Sequence, residues 1–267
     1  MGPGALNPAE AQEMRILISN DDGIHAPGLH ALVSALRGSG DIAVVAPDSE
    51  QSAVGHAITL SDPIRVRRVE LMDGILGYAV GGTPADSVKL AICALLDAPV
   101  DMVVSGINLG PNAGISVIYS GTVSAATEGT ILGIPSMAIS LNTFERPHWE
   151  TAAECARRLV RRLAEDPLPR GVLLNVNVPN RPWNEIAGFA VTSMAESRFV
   201  ETFEKRADPR GNIYYWMDGY LQPTGERDGS DLDALEKGWV TLTPIHFDLT
   251  HRPSLAQLRQ WNLSDPA

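Results

Sequence analysis

Polar side chains suited to metal chemistry follow three short apolar segments of this sequence. Two adjacent carboxylates, Asp21 and Asp22, come directly after the segment RILIS at 15–19. The polar segments DSEQS and SGINLGPN occupy 48–52 and 105–112. Adjacent carboxylates repel each other unless a cation lies between them. Carboxylate, hydroxyl and amide oxygens suit a hard ion such as Mg²⁺ or Mn²⁺ better than they suit zinc. A pair of loop aspartates that caps the following helix is the structural alternative.

A fourth segment, YSGTVS at 119–124, is typical of an anion-binding helix start. Hydroxyls, exposed backbone N–H groups and the helix dipole favour a phosphate at such a position. A plain helix N-cap is the alternative interpretation. Glycine lets the backbone come close to a ligand. The candidate phosphate-binding residues are Asn20, Gly110, Asn112, Ser120, Gly121 and Thr122.

The remaining reactive side chains do not form a recognisable site. The six histidines include no HxH or HxxxH pair, so a histidine metal site is not predicted. His56 either lines the pocket near Ser52 or has a structural role, and Lys89 is expected on the surface. Cys93 and Cys155 lie in apolar helical patterns and are expected to be buried thiols in a reducing cytoplasm.

Composition argues against several classes of partner. The chain has 267 residues, with 21 Lys and Arg against 32 Asp and Glu, and a formal net charge of -11. An acidic surface repels nucleic-acid polymers and anionic membranes. The longest apolar run, 90–96, is far too short to span a membrane, and residues 1–13 lack the pattern of a signal peptide. We therefore expect a cytoplasmic protein whose first 13 residues form a loose tail.

The elements that must position these residues alternate between strand and helix. Alternation of this kind favours an α/β fold with a mainly parallel sheet covered on both faces. In such a sheet the strand ends share one edge, so the polar segments that follow them can converge. The predicted strands are 15–19, 41–46, 102–105, 135–140 and 172–178, and the helices begin at Pro27, Pro84, Thr122 and Trp149. Thr83 is expected to cap the helix that begins at Pro84, and Asp86 suits its first turn.

The pattern changes after about Ala187. Segments 189–193 and 239–244 are typical of strands, but 196–233 is polar, glycine-rich and aromatic. An arm over about 196–238 has too little surrounding core to bury its aromatic side chains, and such side chains are typical of an interface. We predict a homodimer at minimum, and an arm folded back on its own core is the alternative. The predicted divisions are 1–13, a catalytic core over 14–186, and a β-hairpin/helix oligomerisation extension over 187–267 with a strand that returns to the core.

Taken together, the polar segments closely resemble the SurE family of stationary-phase survival proteins. The resemblance covers 14–250 and includes five motifs in the same order, with a further match, GWVTLTPIHFDLT, at 238–250. The five motifs are MRILISNDDGIHAPG at 14–28, APDSEQSAVGHAIT at 46–59, GGTPADSVKLA at 81–91, SGINLGPNAG at 105–114 and YSGTVSAATEG at 119–129.

The resemblance implies a metal-dependent nucleoside monophosphate phosphatase. It implies a Rossmann-like three-layer sandwich, one Mg²⁺ or Mn²⁺ per subunit, and C-terminal elements that exchange between subunits in a dimer or tetramer. The substrates implied are nucleoside 5′-monophosphates, with 3′-monophosphates and short polyphosphate as further candidates. The family's metal ligands correspond to Asp21, Asp22, Ser52 and Asn108.

Attack by a metal-activated water is the simplest mechanism, because no cysteine or histidine is placed to act as a nucleophile. Asp21 and Asp22 are the candidate catalytic residues, and the sequence leaves open which of them orients the water. A haloacid-dehalogenase-like phosphatase would need two aspartates separated by one residue. A regulatory module that binds nucleotide without turnover is the alternative outside the enzymes, although NDDG at 20–23 does not match GxGxxG.

Overall fold

The computed structural model describes residues 13–72, 74–261 and 263. The predicted tail, 1–13, therefore lies outside the described residues except for its last member. Nine strands of the described residues form one sheet: β1 (Arg15–Ser19), β2 (Asp41–Pro47), β3 (Val66–Met72), β4 (Ile75–Val80), β5 (Met102–Leu109), β6 (Ser136–Asn142), β7 (Val172–Pro179), β8 (Gly188–Val191) and β11 (Trp239–His246). Their order in the sheet is β3-β4-β2-β1-β5-β6-β7-β11-β8.

Helices cover both faces of this sheet. The helices are α1 (Pro27–Leu36), α2 (Pro84–Leu90), α3 (Ser116–Tyr119), α4 (Gly121–Ile131), α5 (Trp149–Glu165), α6 (Asp231–Glu236) and α7 (Arg252–Arg259). Side chains of β1 alternate between the two faces: Ile16 and Ile18 pack in the core with α1 and α5, whereas Leu17 packs in the core with α2 and α4. The α/β class is confirmed. No helix among the described residues is long and apolar enough to cross a membrane.

The central strands run parallel, and β1 lies between β2 and β5. The chain leaves β1 for β2 on one side and later enters β5 on the other side. The carboxyl edge beside β1 is therefore the point where strand order reverses. Ligands of open α/β sheets bind in the crevice at such a point.

Local signals placed the helix starts at Pro27, Pro84 and Trp149 correctly, and α4 begins at Gly121, one residue before the predicted Thr122. The hydroxyl of Thr83 accepts a hydrogen bond from the N–H of Asp86 at 3.0 Å, and the Asp86 carboxylate accepts one from the N–H of Thr83 at 2.9 Å. This reciprocal capping box, with Pro84 in the first turn, starts α2 as the sequence predicts.

Two expectations are corrected by the structure. Strand β5 continues to Leu109, so Asn108 lies near the end of the strand instead of in a loop after 105, and the pairing with β6 shifts register between Ser105 and Asn108. Cys93 is exposed, because α2 passes into a short π-helical turn there. Cys155 is buried as predicted, and burial raises the pKa of its thiol to about 12.

The antiparallel pair β3 and β4 was not predicted from the sequence. Strand β3 reads VRRVELM and is largely exposed, since it lies at the edge of the sheet. An edge strand needs no continuous apolar run, and charged side chains on it discourage pairing with other chains.

The C-terminal region adds a long hairpin to this core. Strand β9 (Ser197–Ala207) pairs antiparallel with β10 (Ile213–Pro223) over their whole length. Within the described residues these two strands form a sheet of their own. Strand β11 then pairs antiparallel with β7 inside the main sheet. The predicted C-terminal hairpin extension is confirmed.

Candidate active site

A cavity of about 690 Å³ opens at the carboxyl edge of the sheet beside β1. The four predicted metal ligands all line it: Asp21 and Asp22 after β1, Ser52 after β2, and Asn108 at the end of β5. Segments distant in sequence converge there because parallel strands end at one edge.

Asp21 lies at the bottom of the cavity and is 7% exposed. Burial raises the pKa of its carboxyl, although the hydroxyl of Thr122 donates a hydrogen bond to it that acts in the opposite direction. The Asp21 carbonyl accepts a hydrogen bond from the N–H of Gln51 at 2.8 Å. This bond ties the end of β1 to the loop that carries Ser52.

Asp22 is less buried than its neighbour and faces the same cavity. Burial and then the adjacent Asp21 charge raise the pKa of Asp22 to about 6. One carboxylate oxygen accepts a long hydrogen bond from the N–H of Leu109 at 3.4 Å. Among the described residues, no lysine or arginine forms an ion pair with either aspartate.

Ser52 and Asn108 supply neutral oxygens. The Ser52 hydroxyl donates to the Glu50 carboxylate at 2.5 Å, and Glu50 also lines the cavity. The amide nitrogen of Asn108 donates to the carbonyl of Gly110 at 2.7 Å, which leaves the amide oxygen of Asn108 available to a cation.

These donors fit a hard divalent cation. Two carboxylates match a double positive charge, and hydroxyl and amide oxygens complete an oxygen-rich set of the kind that Mg²⁺ or Mn²⁺ takes. Without a cation, burial and mutual repulsion disfavour the charged form of both carboxylates. Within the described part of the chain, no three His, Cys, Asp or Glu side chains cluster as metal ligands, so this site depends on neutral oxygens as well.

The candidate phosphate-binding residues divide into two groups. Gly110, Asn112 and Ser120 line the cavity. Ser120 is the N-cap of α4, and its hydroxyl accepts a hydrogen bond from the N–H of Val123 at 3.0 Å. The N-terminal end of α4 therefore faces the cavity, as an anion site requires.

The second group lies beside Asp21, away from the cavity wall. Thr122 is fully buried and donates to Asp21, and a Cβ on Gly121 would lie 2.7 Å from the Cβ of Asp21. The side chain of Asn20 is buried and donates to the carbonyl of Gly23 at 2.9 Å. Among the described residues its amide oxygen has no hydrogen-bond partner.

Hydrogen bonds that the sequence did not reveal hold the loop over 110–116. The side chain of Asn177 accepts from the N–H of Asn112 at 2.8 Å. Asp231, fully buried on α6, accepts from the N–H of Gly114 at 2.9 Å and from the N–H of Ala195 at 2.9 Å. One buried carboxylate thus joins a loop of the cavity to the segment that leads into the hairpin.

The loop that carries Ser52 is held by two buried carboxylates of helices α2 and α4. Asp86 accepts hydrogen bonds from the N–H and the hydroxyl of Thr59 at 2.9 and 2.6 Å. Glu128 accepts from His56 at 2.9 Å and pairs with Lys89 at 2.5 Å. His56 therefore has the structural role that the sequence left open. Of the contacts that Asp86 and Glu128 make, the sequence predicted only the capping bonds between Asp86 and Thr83. It did not predict those to Thr59, His56 and Lys89.

Comparisons with known proteins agree with this geometry. A family model described as survival protein SurE matches residues 16–201. A Syntrophobacter fumaroxidans protein named 5′-nucleotidase SurE is 48% identical over 250 residues, covering 94% of this chain and 100% of the relative. A protein of the same name from Syntrophus aciditrophicus is 51% identical over 247 residues, covering 92% and 93%. The crystal structure of SurE from Aquifex aeolicus aligns with a TM-score of 0.80 at 38% identity, covering 92% of this chain and 99% of the other.

Proposed function

The chain belongs to the SurE family, and from that membership and the cavity we propose that it hydrolyses nucleoside 5′-monophosphates to nucleoside and phosphate. It is a phosphoric monoester hydrolase of the 5′-nucleotidase type. The observation that carries the proposal is the placement of Asp21 and Asp22 in one cavity with the N-terminal end of α4. A cation on the aspartates and a phosphate at the helix would meet there.

The proposed reaction depends on one Mg²⁺ or Mn²⁺ per subunit, held by Asp21, Asp22, Ser52 and Asn108. When bound, such an ion polarises the phosphoryl group and lowers the pKa of a coordinated water. The support for it is the donor set itself, two carboxylates without a lysine or arginine partner in the described chain together with two neutral oxygens.

The side chains of this chain have separate roles in the proposed reaction. The hydroxyl of Ser120 and the backbone N–H groups at the start of α4 bind phosphoryl oxygens. Asp22 orients the attacking water and accepts its proton, because Asp21 is already engaged by the hydroxyl of Thr122. The hydroxyl of Thr122 holds Asp21 in place, and Gly121 leaves room for the Asp21 side chain. The part that these two residues have in binding the phosphoryl group is that of their backbone N–H groups, which stand at the start of α4.

The haloacid-dehalogenase-like alternative is not favoured. Its nucleophile and its acid would need to face one substrate from positions separated by one residue. Here Asp21 bonds to Thr122 on α4, whereas Asp22 bonds to the N–H of Leu109 on β5. The two carboxylates are therefore held by different elements, which suits two ligands of one cation.

We also propose a homodimer or tetramer in which the β9–β10 hairpin crosses to a partner subunit. The hairpin carries exposed aromatic side chains far from any core: Phe203, Tyr214, Tyr215, Trp216 and Tyr220. Aromatic side chains in such numbers are typical of an interface.

A cytoplasmic location is proposed as well, supported by two cysteines that are both free.

Phosphate release tests the hydrolase proposal. The protein is assayed with nucleoside 5′-monophosphates, 3′-monophosphates and short polyphosphate, with Mg²⁺ or Mn²⁺ and again with excess chelator. We expect release from the 5′-monophosphates that stops with chelator and returns when metal is restored. Undiminished release in chelator would contradict the metal dependence. Nucleotide binding without any release would favour the regulatory module.

A further inference from the structure

Three aromatic side chains stand at the wall of the active-site cavity and remain exposed. Tyr119, Phe144 and Phe199 are 55%, 75% and 37% exposed, and all three line the cavity. They come from α3, from the loop after β6, and from β9. Large exposed aromatic side chains that converge on a cavity are typical of a ligand site.

Two of these rings lie against glycine. A Cβ on Gly110 would lie 2.5 Å from Cε1 of Phe144, and a Cβ on Gly219 would lie 2.6 Å from Cε1 of Phe199. Each ring therefore packs on bare backbone, which restricts its position while the rest of the ring stays accessible. Such rings lose little conformational entropy when a ligand stacks on them.

The aromatic wall adjoins the phosphate end of the cavity. Tyr119 immediately precedes Ser120, the N-cap of α4, and Phe144 packs on Gly110 of the loop over 110–116. A volume of about 690 Å³ is far larger than one phosphate and is in the range of sites for whole small ligands. The remaining volume lies between these rings and the phosphate end.

We propose that Tyr119, Phe144 and Phe199 form a stacking subsite for the nucleobase of the substrate. This inference rests on the proposed function and extends it to the part of the substrate that does not react. Stacking on an aromatic face needs only the π-face that every base has, so it tolerates all bases. The enzyme therefore accepts several nucleoside monophosphates and discriminates against phosphomonoesters that lack a base.

The subsite gives the hairpin a second role. Phe199, near the base of the β9–β10 hairpin, and Met217, which pairs with Phe203 midway along it, line the cavity, whereas Tyr214 and Tyr215 lie farther toward its tip. The half of the hairpin nearer its base thus contacts substrate, and the tip remains available to a partner subunit. Substrate affinity is then expected to depend on how the hairpin is held.

The test compares a nucleoside 5′-monophosphate with ribose 5-phosphate, which has the same phosphate and sugar but no base. In Phe144→Ala we expect KM for the nucleotide to rise at least about fivefold, the lower limit for one lost base stack. The kcat/KM for ribose 5-phosphate should change less than twofold. Phe144→Trp should restore the nucleotide KM. Phe247→Ala is the matched control, because Phe247 is 43% exposed and stacks on His246 at another surface.

Inhibition by the reaction products gives a second measurement. The inhibition constant of the free nucleoside should rise in Phe144→Ala, and that of inorganic phosphate should not. An equal loss on both substrates, or no loss on either, would overturn the subsite. If the unmodified protein hydrolysed neither substrate, the proposed function itself would fail, which is a different result. Because Phe144 is mostly exposed, the variant should retain the circular dichroism and melting temperature of the parent protein.

Discussion

The floor of the cavity, where Asp21 lies, and the β9–β10 hairpin differ in how far their side chains are buried. At the floor, Asp21 is 7% exposed, and its neighbours are fixed by strands and helices of the same chain. On the hairpin, Phe203, Tyr215 and Trp216 are 63%, 58% and 59% exposed. A two-stranded hairpin alone is marginally stable in water. The difference is consistent with the proposal that one chain positions the proposed metal and phosphate ligands, whereas the hairpin is covered by a partner subunit.

The two regions nevertheless meet at a buried junction. Asp231 accepts hydrogen bonds from the cavity loop and from Ala195, and the hydroxyl of Ser197 accepts one from the N–H of Ile115 at 2.9 Å. Ser197 is the first residue of β9. A change in the position of the hairpin base is therefore transmitted directly to the loop that holds Asn112.

Loss of charge at the floor should have the largest effect. In Asp21→Asn we expect turnover to fall by at least about 100-fold, because a charged cation ligand is lost while side-chain volume is kept. Phosphate release under saturating metal measures the loss, and the melting temperature checks the fold. The proposed dimer should persist, since Asp21 is buried at the floor of the cavity and is not part of the hairpin.

Asp166→Asn is the matched control for that variant. Asp166 pairs with Arg162 at the end of α5, and this helix connects two parallel strands, so its C-terminal end lies at the opposite edge of the sheet. Activity close to that of the parent protein is expected there. Full activity in Asp21→Asn would contradict the assignment of the floor as the metal site.

The comparison also shows which parts of the molecule the sequence could predict. Strand ends, the capping box at Thr83 and the N-cap at Ser120 depend on neighbours within a few residues, so local patterns identify them. The resemblance to a family then added the ligand set, which local patterns alone left open.

The missed features depend on distant partners. Glu128 meets His56 across 72 residues of sequence, and Asp231 meets Gly114 across 117. A single glutamate or aspartate in a helix carries no signal of such a contact. Strand β3 was missed for a related reason, because an exposed edge strand lacks the apolar pattern by which buried strands are recognised.

Substitutions on the hairpin should act first on the stability of the proposed dimer, and on the reaction only through it. In Tyr215→Ser with Trp216→Ser we expect the dimer to weaken by about 2 kcal/mol or more, the usual effect of removing aromatic side chains from an interface centre. Light scattering across a dilution series measures the mass, which is 28.6 kDa for one chain. KM should rise as the subunits separate, because the base of the hairpin lines the cavity.

Leu60→Ser is the control for the hairpin variant, since Leu60 is 85% exposed and lies outside the hairpin. It should leave the mass unchanged. A parent protein that is a fully active monomer at assay concentration would refute the proposed exchange of arms and would leave the floor assignment intact.

The smallest expected effect is at Glu128, which supports the loop of Ser52 from outside the cavity. Burial alone would raise the pKa of Glu128, but hydrogen bonds from His56 and Lys89 outweigh it and hold the pKa below its ordinary value of 4.5. A carboxyl whose pKa is lowered by folding stabilises the folded state above the unfolded pKa, and this stabilisation is lost as pH falls through the folded pKa.

Glu128→Gln should therefore lower the free energy of unfolding by about 1–2 kcal/mol at pH 7, less than a fully buried pair would lose, because Lys89 and His56 are partly exposed. The difference from the parent protein should shrink as pH falls from about 4.5 through the lower folded pKa of Glu128, below which the Glu128 side chain is uncharged like that of glutamine. Urea unfolding in a pH series from 7 downward through that window measures it. Glu154→Gln is the control, since Glu154 pairs with Arg157 and Arg158 on the exposed side of α5, where such pairs contribute under about 1 kcal/mol. An equal, pH-independent loss in both variants would show that the position of the Ser52 loop does not depend on the charge of Glu128. The residues at the floor of the cavity would then keep their positions without that charge.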